Sequence, residues 1–185
     1  NGVNVELTKE ENFETNPIHI SKTFDIQNGE QVGYFMYNQF VANKCVNLND
    51  VFAEFKNKNI NNLIVDLRYN GGGSVKNCDE LASMITGQFE SGVFAQEQWN
   101  NKLISYLEKR FGSESLINRF VDTLSNGSPI NSLKLDRVYV ITSSESASAS
   151  ELLINGLSSY IEVIQIGEPT VGKNVGSITV YDYID

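Results

Sequence analysis

Three short segments of the chain hold residue types that could carry out hydrolysis. The first, residues 146–151, reads SASASE, follows a run typical of a buried strand and opens a helical pattern. Small residues allow a tight turn there, and a helix N-terminus offers free backbone N–H groups and the positive end of a dipole. A serine at that point would have its oxyanion close to backbone donors. Taken alone, the segment is better explained by Ser150 or a neighbour capping the helix, because serine-rich helix starts are common.

The second segment is glycine-rich. Residues 66–73 read DLRYNGGG and stand at the carboxyl end of a predicted buried strand, where crevices form in α/β sheets. Consecutive glycines let backbone N–H groups come close to a ligand. The GxxxxGK[ST] and GxGxxG spacings are both missing, so the pattern does not indicate a nucleotide site. By itself the segment is also compatible with an ordinary flexible turn.

The third segment, residues 167–173, reads GEPTVGK and ends on Lys173. A lysine flanked by glycine and asparagine is usually a solvated charge. It becomes a general base only when desolvation lowers its pKa from about 10.4 toward neutrality. The sequence holds one histidine, His19, which we interpret as an ordinary strand residue. A hydrolase built from this chain therefore needs a carboxylate or a lysine as its base, and a zinc site with two or three histidines is excluded.

Hydrophobic periodicity predicts an α/β domain with helices packed on a sheet. A helix capped by Asn49 or Asp50 should end near Asn59, and another should carry Leu81 and Met84 on its apolar face. Residues 103–111 and 116–124 look helical or partly helical, and 151–157 has helical periodicity. Strands are predicted at residues 18–24, 31–37, 63–65, 138–141, 162–166 and 177–183.

Composition limits the possible partners. The chain has 185 residues, 41% of them hydrophobic, which suffices for one domain with a real core. Its net charge of −9 and the lack of a dense Lys/Arg cluster disfavour nucleic acid and an anionic membrane surface as partners. No apolar run reaches the roughly 20 residues of a membrane span, and no export signal opens the chain. Cys45 and Cys78 are too few for a disulfide framework, so we expect buried thiols rather than a bridge.

Taken together, the three segments are far more specific than any one of them. In order, they resemble the D-L-R-x-N-x-G-G, S-A-S-A-S-E and T-x-G-K signatures of the carboxyl-terminal processing (tail-specific) protease family. The separation of 25 residues between Ser148 and Lys173 is also the spacing between nucleophile and lysine in that family. The resemblance extends over nearly all of residues 18–183.

The resemblance implies a serine peptidase with a Ser–Lys dyad. Ser148 would be the nucleophile and neutral Lys173 the general base, with an acyl-enzyme as intermediate. The oxyanion hole would be formed by the backbone N–H of Ala149 and that of Gly72 or Gly73.

One family position departs from the pattern. Many members carry glutamine four residues after the lysine, where it helps to orient the amine, and this chain has Ser177 there. Glu151 is a second candidate for orienting Lys173. A carboxylate too close to the amine would, however, favour charged lysine and oppose its role as base.

The resemblance also implies a fold, a partner and a location. The expected fold is a ClpP/crotonase-like spiral of ββα units, with a mixed sheet flanked by helices. The expected partner is a protein or peptide substrate, with no cofactor and no metal, and the expected location is the periplasm or cell envelope. No PDZ-type module is recognisable, so residues 1–185 are interpreted as a single peptidase core from a longer natural chain. A catalytically inactive peptide-binding domain and a crotonase-like acyl-CoA enzyme remain alternatives, although the latter needs no serine and lysine at this spacing.

Overall fold

The computed structural model describes residues 5–9, 11 and 16–177. The strands within these ranges are β1 (Ile18–Asp25), β2 (Gln31–Tyr37), β3 (Asn62–Asp66), β4 (Val93–Gln96), β5 (Ile117–Arg119), β6 (Arg137–Thr142) and β7 (Glu162–Gly167). The α-helices are α1 (Cys45–Asn57), α2 (Val75–Thr86), α3 (Asn101–Phe111) and α4 (Ala149–Ser158).

Five strands form the central mixed sheet, in the order β1-β2-β3-β6-β7. The pair β1 and β2 is antiparallel, and the pairs β2–β3, β3–β6 and β6–β7 are parallel. Each parallel step is made through a helix, as a parallel connection requires. The prediction of a mixed sheet flanked by helices is confirmed. The assignment to a ClpP/crotonase-like spiral stays a prediction.

The core lies between this sheet and the helices, with α2 packed between α1 and α4. Phe35 and Tyr37 of β2 are fully buried and meet Phe52 of α1 and Phe40 edge-to-face or tilted. Such aromatic pairs add to the free energy gained by burying their area. The same layer contains Cys45 and Cys78, which are free and buried as predicted.

An arm made of the antiparallel pair β4 and β5 lies outside the central sheet. Phe94 and Phe120 anchor the arm, because both rings are buried and stack edge-to-face. Gly156 of α4 provides the space for Phe94, since a methyl group at that position would collide with the ring. The helix α3 is inserted between the two strands of the arm.

The five predicted strands between residues 18 and 166 are confirmed, with ends shifted by at most one residue. The predicted start of the first helix is wrong, because α1 begins at Cys45 and Asn49 lies inside it. The Asn49 side chain bonds to Pro129 and Asn131 across the fold instead of capping. Of the predicted strand at residues 177–183, only Ser177 is described, and it is not in a strand.

The interpretation of residues 116–124 as helical is wrong. A short 3-10 turn ends at Leu116, β5 follows, and the rest is loop. Leu116, Phe120 and Leu124 recur every four residues and are all buried, which imitates helical periodicity. Their burial comes instead from the arm and its return to the core. Among the described residues, no helix is long and apolar enough to cross a bilayer.

Candidate active site

The three segments singled out from the sequence meet at one edge of the central sheet. The glycine loop follows β3, the serine turn follows β6 and the lysine turn follows β7. These three strands are parallel neighbours, so their carboxyl ends lie side by side. Crevices of α/β sheets form outside such ends. The strand order alone therefore brings together segments that are about 80 and 25 positions apart in sequence.

Hydrogen bonds fasten the glycine loop to the serine turn. The carbonyl oxygen of the fully buried Asn70 accepts bonds from Ala147 N at 3.1 Å and Ser150 Oγ at 2.8 Å. Ser146 Oγ donates to Leu67 O at 2.8 Å. The first and last serines of SASAS thus serve structural bonds. Ser148, which stands between them and is half-buried, remains as the candidate nucleophile.

Ser148 has an unusual backbone conformation. Its φ of 57° and ψ of −112° place it in a region that L-residues rarely adopt, at the N-cap of α4. Such strain persists only where the surroundings impose it, and it is concentrated at functional sites. Gly72 forms part of these surroundings: a methyl group placed on it would lie 2.7 Å from Ser148 Cβ and 2.9 Å from Ala149 N. The glycine loop therefore lies directly against the nucleophile candidate, with no room for a side chain.

The predicted oxyanion donors differ in how their N–H groups are used. Ala149 is the first residue of α4, so its N–H has no partner within the helix. The N–H of Gly72 donates to Asn70 Oδ1 at 2.9 Å. In the described part of the chain, the N–H of Gly73 has no hydrogen-bond acceptor. Of the two glycines, Gly73 is therefore the one whose backbone N–H could donate to an oxyanion.

Glu151 connects the serine turn to the lysine turn. Its buried carboxylate accepts bonds from Ser148 N at 2.7 Å, from Lys173 N at 2.9 Å and from Gly172 N. Burial alone would raise the pKa of Glu151, but the Thr170 hydroxyl and these three N–H groups outweigh it and hold the pKa below its ordinary value. One oxygen, Oε2, serves both Ser148 and Lys173, so the backbones of the two candidate catalytic residues lie close together.

The lysine side chain is less constrained than its backbone. Lys173 is exposed, and no ion pair joins it to another described residue. Glu151 binds the N–H of Lys173, and Val171 N donates to Ser146 O at 3.0 Å, so the turn itself is fastened. Ser177 is exposed as well, and which side chain orients the amine stays a prediction. His19 is an exposed residue of β1, which β2 and β3 separate from β6, as its interpretation as an ordinary strand residue requires.

Asp66 is a positioning residue to which the sequence patterns assigned no role. It is fully buried and accepts bonds from Tyr34 OH at 2.8 Å and from the Arg68 guanidinium at 2.7 Å. Burial acts to raise the pKa of Asp66, but the bonds from Arg68 and Tyr34 outweigh it and lower the pKa. This cluster fixes the start of the glycine loop. The signal in the sequence was the D-L-R triplet, with opposite charges two residues apart. Among the described residues, no group of three or more His, Cys, Asp or Glu side chains is arranged to hold a metal ion.

The chain is similar to several processing proteases. It is 28% identical over 160 residues to a carboxyl-terminal-processing protease of Picosynechococcus sp., covering 86% of this chain and 33% of that one. It is 26% identical over 147 residues to the chloroplastic carboxyl-terminal-processing peptidase 2 of Arabidopsis thaliana, covering 79% and 24%. The chain thus spans about a third or less of the length of these relatives.

Solved structures show the same fold. A Bacteroides fragilis protein assigned to the S41 proteases superposes with a TM-score of 0.80 at 27% identity, covering 94% of this chain and 44% of that one. The photosystem II D1 C-terminal processing protease superposes with a TM-score of 0.59 at 21% identity, covering 88% and 39%. The sequence model of peptidase family S41 matches residues 31–181, a range that includes all three segments of the site, and the chain belongs to this family.

Proposed function

We propose that this domain is the catalytic core of a serine endopeptidase that cleaves peptide bonds through an acyl-enzyme, near the C-termini of its substrates. Ser148 is the nucleophile and Lys173 the general base. The single observation that carries the proposal is the strained Ser148 backbone, which lies against Gly72 and shares the Glu151 carboxylate with Lys173. A helix cap accounts for the bond from Ser148 N to Glu151, but it requires neither the strained backbone, nor the close approach of Gly72, nor the bond from Lys173 N.

Each step of the proposed reaction uses a group at this site. Ser148 Oγ attacks the scissile carbonyl carbon while Lys173 Nζ takes the serine proton. The N–H groups of Ala149 and Gly73 stabilise the oxyanion. The C–N bond then breaks, the leaving amine takes the proton back from Lys173, and the acyl-enzyme remains. Water attacks the ester, again giving a proton to Lys173, which returns it to Ser148 as the acid leaves.

The exposure of Lys173 sets a requirement on this scheme. An ammonium in water keeps its proton at neutral pH, so Lys173 serves as a base only when water is removed from around it. We propose that the bound substrate covers the amine. Glu151 is compatible with this arrangement. Its carboxylate already accepts hydrogen bonds from the Thr170 hydroxyl and three backbone N–H groups, and these bonds weaken its attraction for the Lys173 ammonium.

The same exposure favours the second candidate, a catalytically inactive domain that binds peptides with the same fold. A fluorophosphonate probe separates the two, since it labels only an activated serine. We expect labelling at Ser148, identified by mass spectrometry, and none in Ser148→Ala. Ser144→Ala is the matched control, because Ser144 is an exposed serine two residues before this segment. Intact protein that stays unlabelled, with a substrate protein left uncut, would favour the inactive domain.

The relatives suggest where such an enzyme acts. One of them is chloroplastic by name and all of those described above are processing proteases or S41 proteases. We propose that this protein is likewise exported, to the periplasm or cell envelope, and acts there on protein substrates. Fractionation of cells that produce the natural protein tests this, and recovery in the cytoplasmic fraction would contradict it.

A further inference from the structure

The side chain of Asn70 links the end of β2 to the loop that follows β3. Its Nδ2 donates to the carbonyl oxygen of Tyr37, the last residue of β2, at 2.8 Å. Its Oδ1 accepts from Gly72 N at 2.9 Å. Only this orientation of the amide fits, because a carbonyl oxygen accepts a hydrogen bond and a backbone N–H can only donate one. The fully buried amide therefore has a bonded partner at each end, as a buried polar group requires.

The carbonyl group of Gly72 is held by the segment that follows β2. Phe40 N donates to Gly72 O at 3.0 Å, and Phe40 O accepts from Ser74 N at 2.8 Å. These bonds form a parallel bridge between Phe40 and Gly73. Phe40 is itself fixed in the core, where it is 2% exposed. Gly72 is thus held at its N–H by Asn70 and at its C=O by Phe40.

This double attachment sets the direction of the N–H of Gly73. The peptide bond between Gly72 and Gly73 is trans, so the C=O of the first and the N–H of the second point in opposite directions. Since that C=O points to Phe40, the N–H of Gly73 points away from Phe40. Phe40 follows β2 and Ser148 follows β6, on opposite sides of the loop that follows β3. The N–H of Gly73 is therefore directed to the side on which Ser148 lies.

The main chain of Asn70 fixes the second candidate donor relative to the first. Its carbonyl oxygen accepts from Ala147 N and Ser150 Oγ, residues on either side of the pair that Ala149 forms with the candidate nucleophile. Asn70 therefore also holds the start of α4, with the N–H of Ala149, against the glycine loop. The two segments are close together, because a methyl group on Gly72 would lie 2.9 Å from Ala149 N.

We propose that Asn70 is a positioning residue for the oxyanion hole. Its side chain directs the N–H of Gly73 toward the developing oxyanion, and its main chain holds the N–H of Ala149 at the matching distance. The proposal rests on the proposed function, because an oxyanion forms only when Ser148 attacks. Since the oxyanion exists in the transition state and not in the bound reactant, loss of the Asn70 amide should slow the chemical step without weakening binding.

The kinetics of fluorophosphonate labelling test this assignment. The phosphoryl oxygen of the probe takes the place of the oxyanion while Ser148 Oγ bonds to phosphorus, its proton passes to Lys173 and fluoride leaves. Rates measured over a range of probe concentrations give the maximal labelling rate and the dissociation constant separately. In Asn70→Ser the shorter hydroxyl cannot reach both partners of the amide. We expect the maximal rate to fall by about 10²-fold and the dissociation constant to stay within about twofold of the parent's.

Asn77→Ser is the matched control. Asn77 is likewise fully buried and its amide has two bonds, from Tyr37 OH at 2.6 Å and to Cys45 Sγ at 2.9 Å. Neither bond goes to the glycine loop or the serine turn, so the control should lose a similar amount of stability in thermal unfolding and be labelled as fast as the parent. An Asn70→Ser protein that is labelled as fast as the parent would overturn the proposal. So would one whose dissociation constant rises as much as its maximal rate falls.

A measurement on the parent protein keeps the test independent of any folding defect in the Asn70 variant. In the covalent adduct with the probe, the amide proton of Gly73 should move downfield in nitrogen-edited proton NMR spectra, because it binds the phosphoryl oxygen. The amide proton of Gly72 should keep its position, because Asn70 Oδ1 still accepts its bond. A downfield shift at Gly72, or no shift at Gly73, would overturn the proposal. A parent protein that is not labelled at all is a separate result, which concerns the proposed function alone.

Discussion

The first turns of α2 and α4 bury two carboxyl groups to the same extent, with opposite results. Asp79 and Glu151 are each 7% exposed. Glu151 receives four hydrogen bonds, and its pKa is lowered in spite of burial. Asp79 Oδ1 has no partner in the described part of the chain, and burial, with smaller effects from Glu80 and Glu97, raises its pKa to about 8. Burial acts to raise both pKa values; hydrogen-bond donors outweigh it at Glu151, and Asp79 Oδ1 has no such donor among the described residues.

The comparison shows which of the two carboxyl groups the backbone N–H groups of this region bind. Two turns at the candidate site, the serine turn and the lysine turn, direct three N–H groups toward Glu151, while Asp79, one helix away, is left to hold a proton. Under the proposed function, we expect α4 to organise the reaction and α2 to support the fold. Four substitutions test this division.

The largest effect is expected at Lys173, whose backbone N–H donates to Glu151. Lys173→Arg keeps the charge and the backbone bond but introduces a group that cannot give up its proton. Peptidase activity should fall by about 10² or more, the usual contribution of a general base. Steady-state kinetics of the parent and the variant measures it. Full activity in the arginine variant would rule out the dyad.

A similar loss is expected from Gly72→Ala, which places a methyl group against Ser148. The methyl group would lie 2.8 Å from Ala147 O, and the φ of 105° at Gly72 is itself unfavourable for alanine. Displacement of the nucleophile by even a fraction of an ångström should lower kcat by about 10². Gly71→Ala is the matched control, because a methyl group there meets nothing within 4 Å. Equal activity of the two variants would contradict the close approach.

Glu151→Gln should have a smaller effect on rate and a distinct effect on stability. The amide keeps one acceptor but turns donors toward N–H groups, so the two turns should separate and kcat should fall roughly tenfold. The free energy of unfolding should drop by about 1–3 kcal/mol at pH 7, because buried donors lose their acceptor. Since the folded pKa of Glu151 lies below its ordinary value, this difference should be present above pH 4.5 and should shrink as the pH falls through the folded pKa. Chemical denaturation of both proteins at several pH values provides the comparison.

Asp79→Asn should change stability alone, and with the opposite pH dependence. Because the folded pKa of Asp79 is raised, the parent loses stability as the pH rises from the ordinary value of 3.8 to about 8. The asparagine variant lacks this loss and should be more stable at pH 8, on the order of 1–3 kcal/mol. The two unfolding curves should coincide near pH 3, where the carboxyl is protonated in both states. Activity should stay within about twofold of the parent. A loss comparable to that of Glu151→Gln would contradict the different roles assigned to α2 and α4.

The sequence predicted the site at the level of segments better than at the level of atoms. Strand ends are readable because buried strands leave short apolar runs, and parallel neighbours must bring their ends together. The sequence could not tell which serine of SASAS is held in the strained conformation at the start of α4, since Ser146, Ser148 and Ser150 differ only in tertiary contacts. For the same reason it could not separate Gly72 from Gly73 as a donor. The hydrogen bond from Gly72 to Asn70 Oδ1 distinguishes them.

Other limits were set by side chains that act outside their own segment. Asn49 has the residue type of a cap but is used to bind the loop at residues 129–131, so the helix start was misplaced. Glu151 was considered as a partner of the lysine amine, whereas its observed bonds go to backbone N–H groups. Polar residues of this kind carry no periodic signal, because their partners are set by chain topology rather than by neighbours in sequence.

The hydrogen bond between Ser150 and Asn70 has a consequence for how the candidate site is assembled during folding. It joins positions 80 residues apart, and the bond between Ser146 and Leu67 joins positions 79 apart. Contacts of such long range are closed late, after the loop entropy of the intervening chain has been overcome. The crevice is therefore complete only in a chain whose residues 66–73 and 146–151 have already come together. Under the proposed function, Ser148 would become a nucleophile only at that stage, and an incompletely folded chain would not cleave itself or its neighbours.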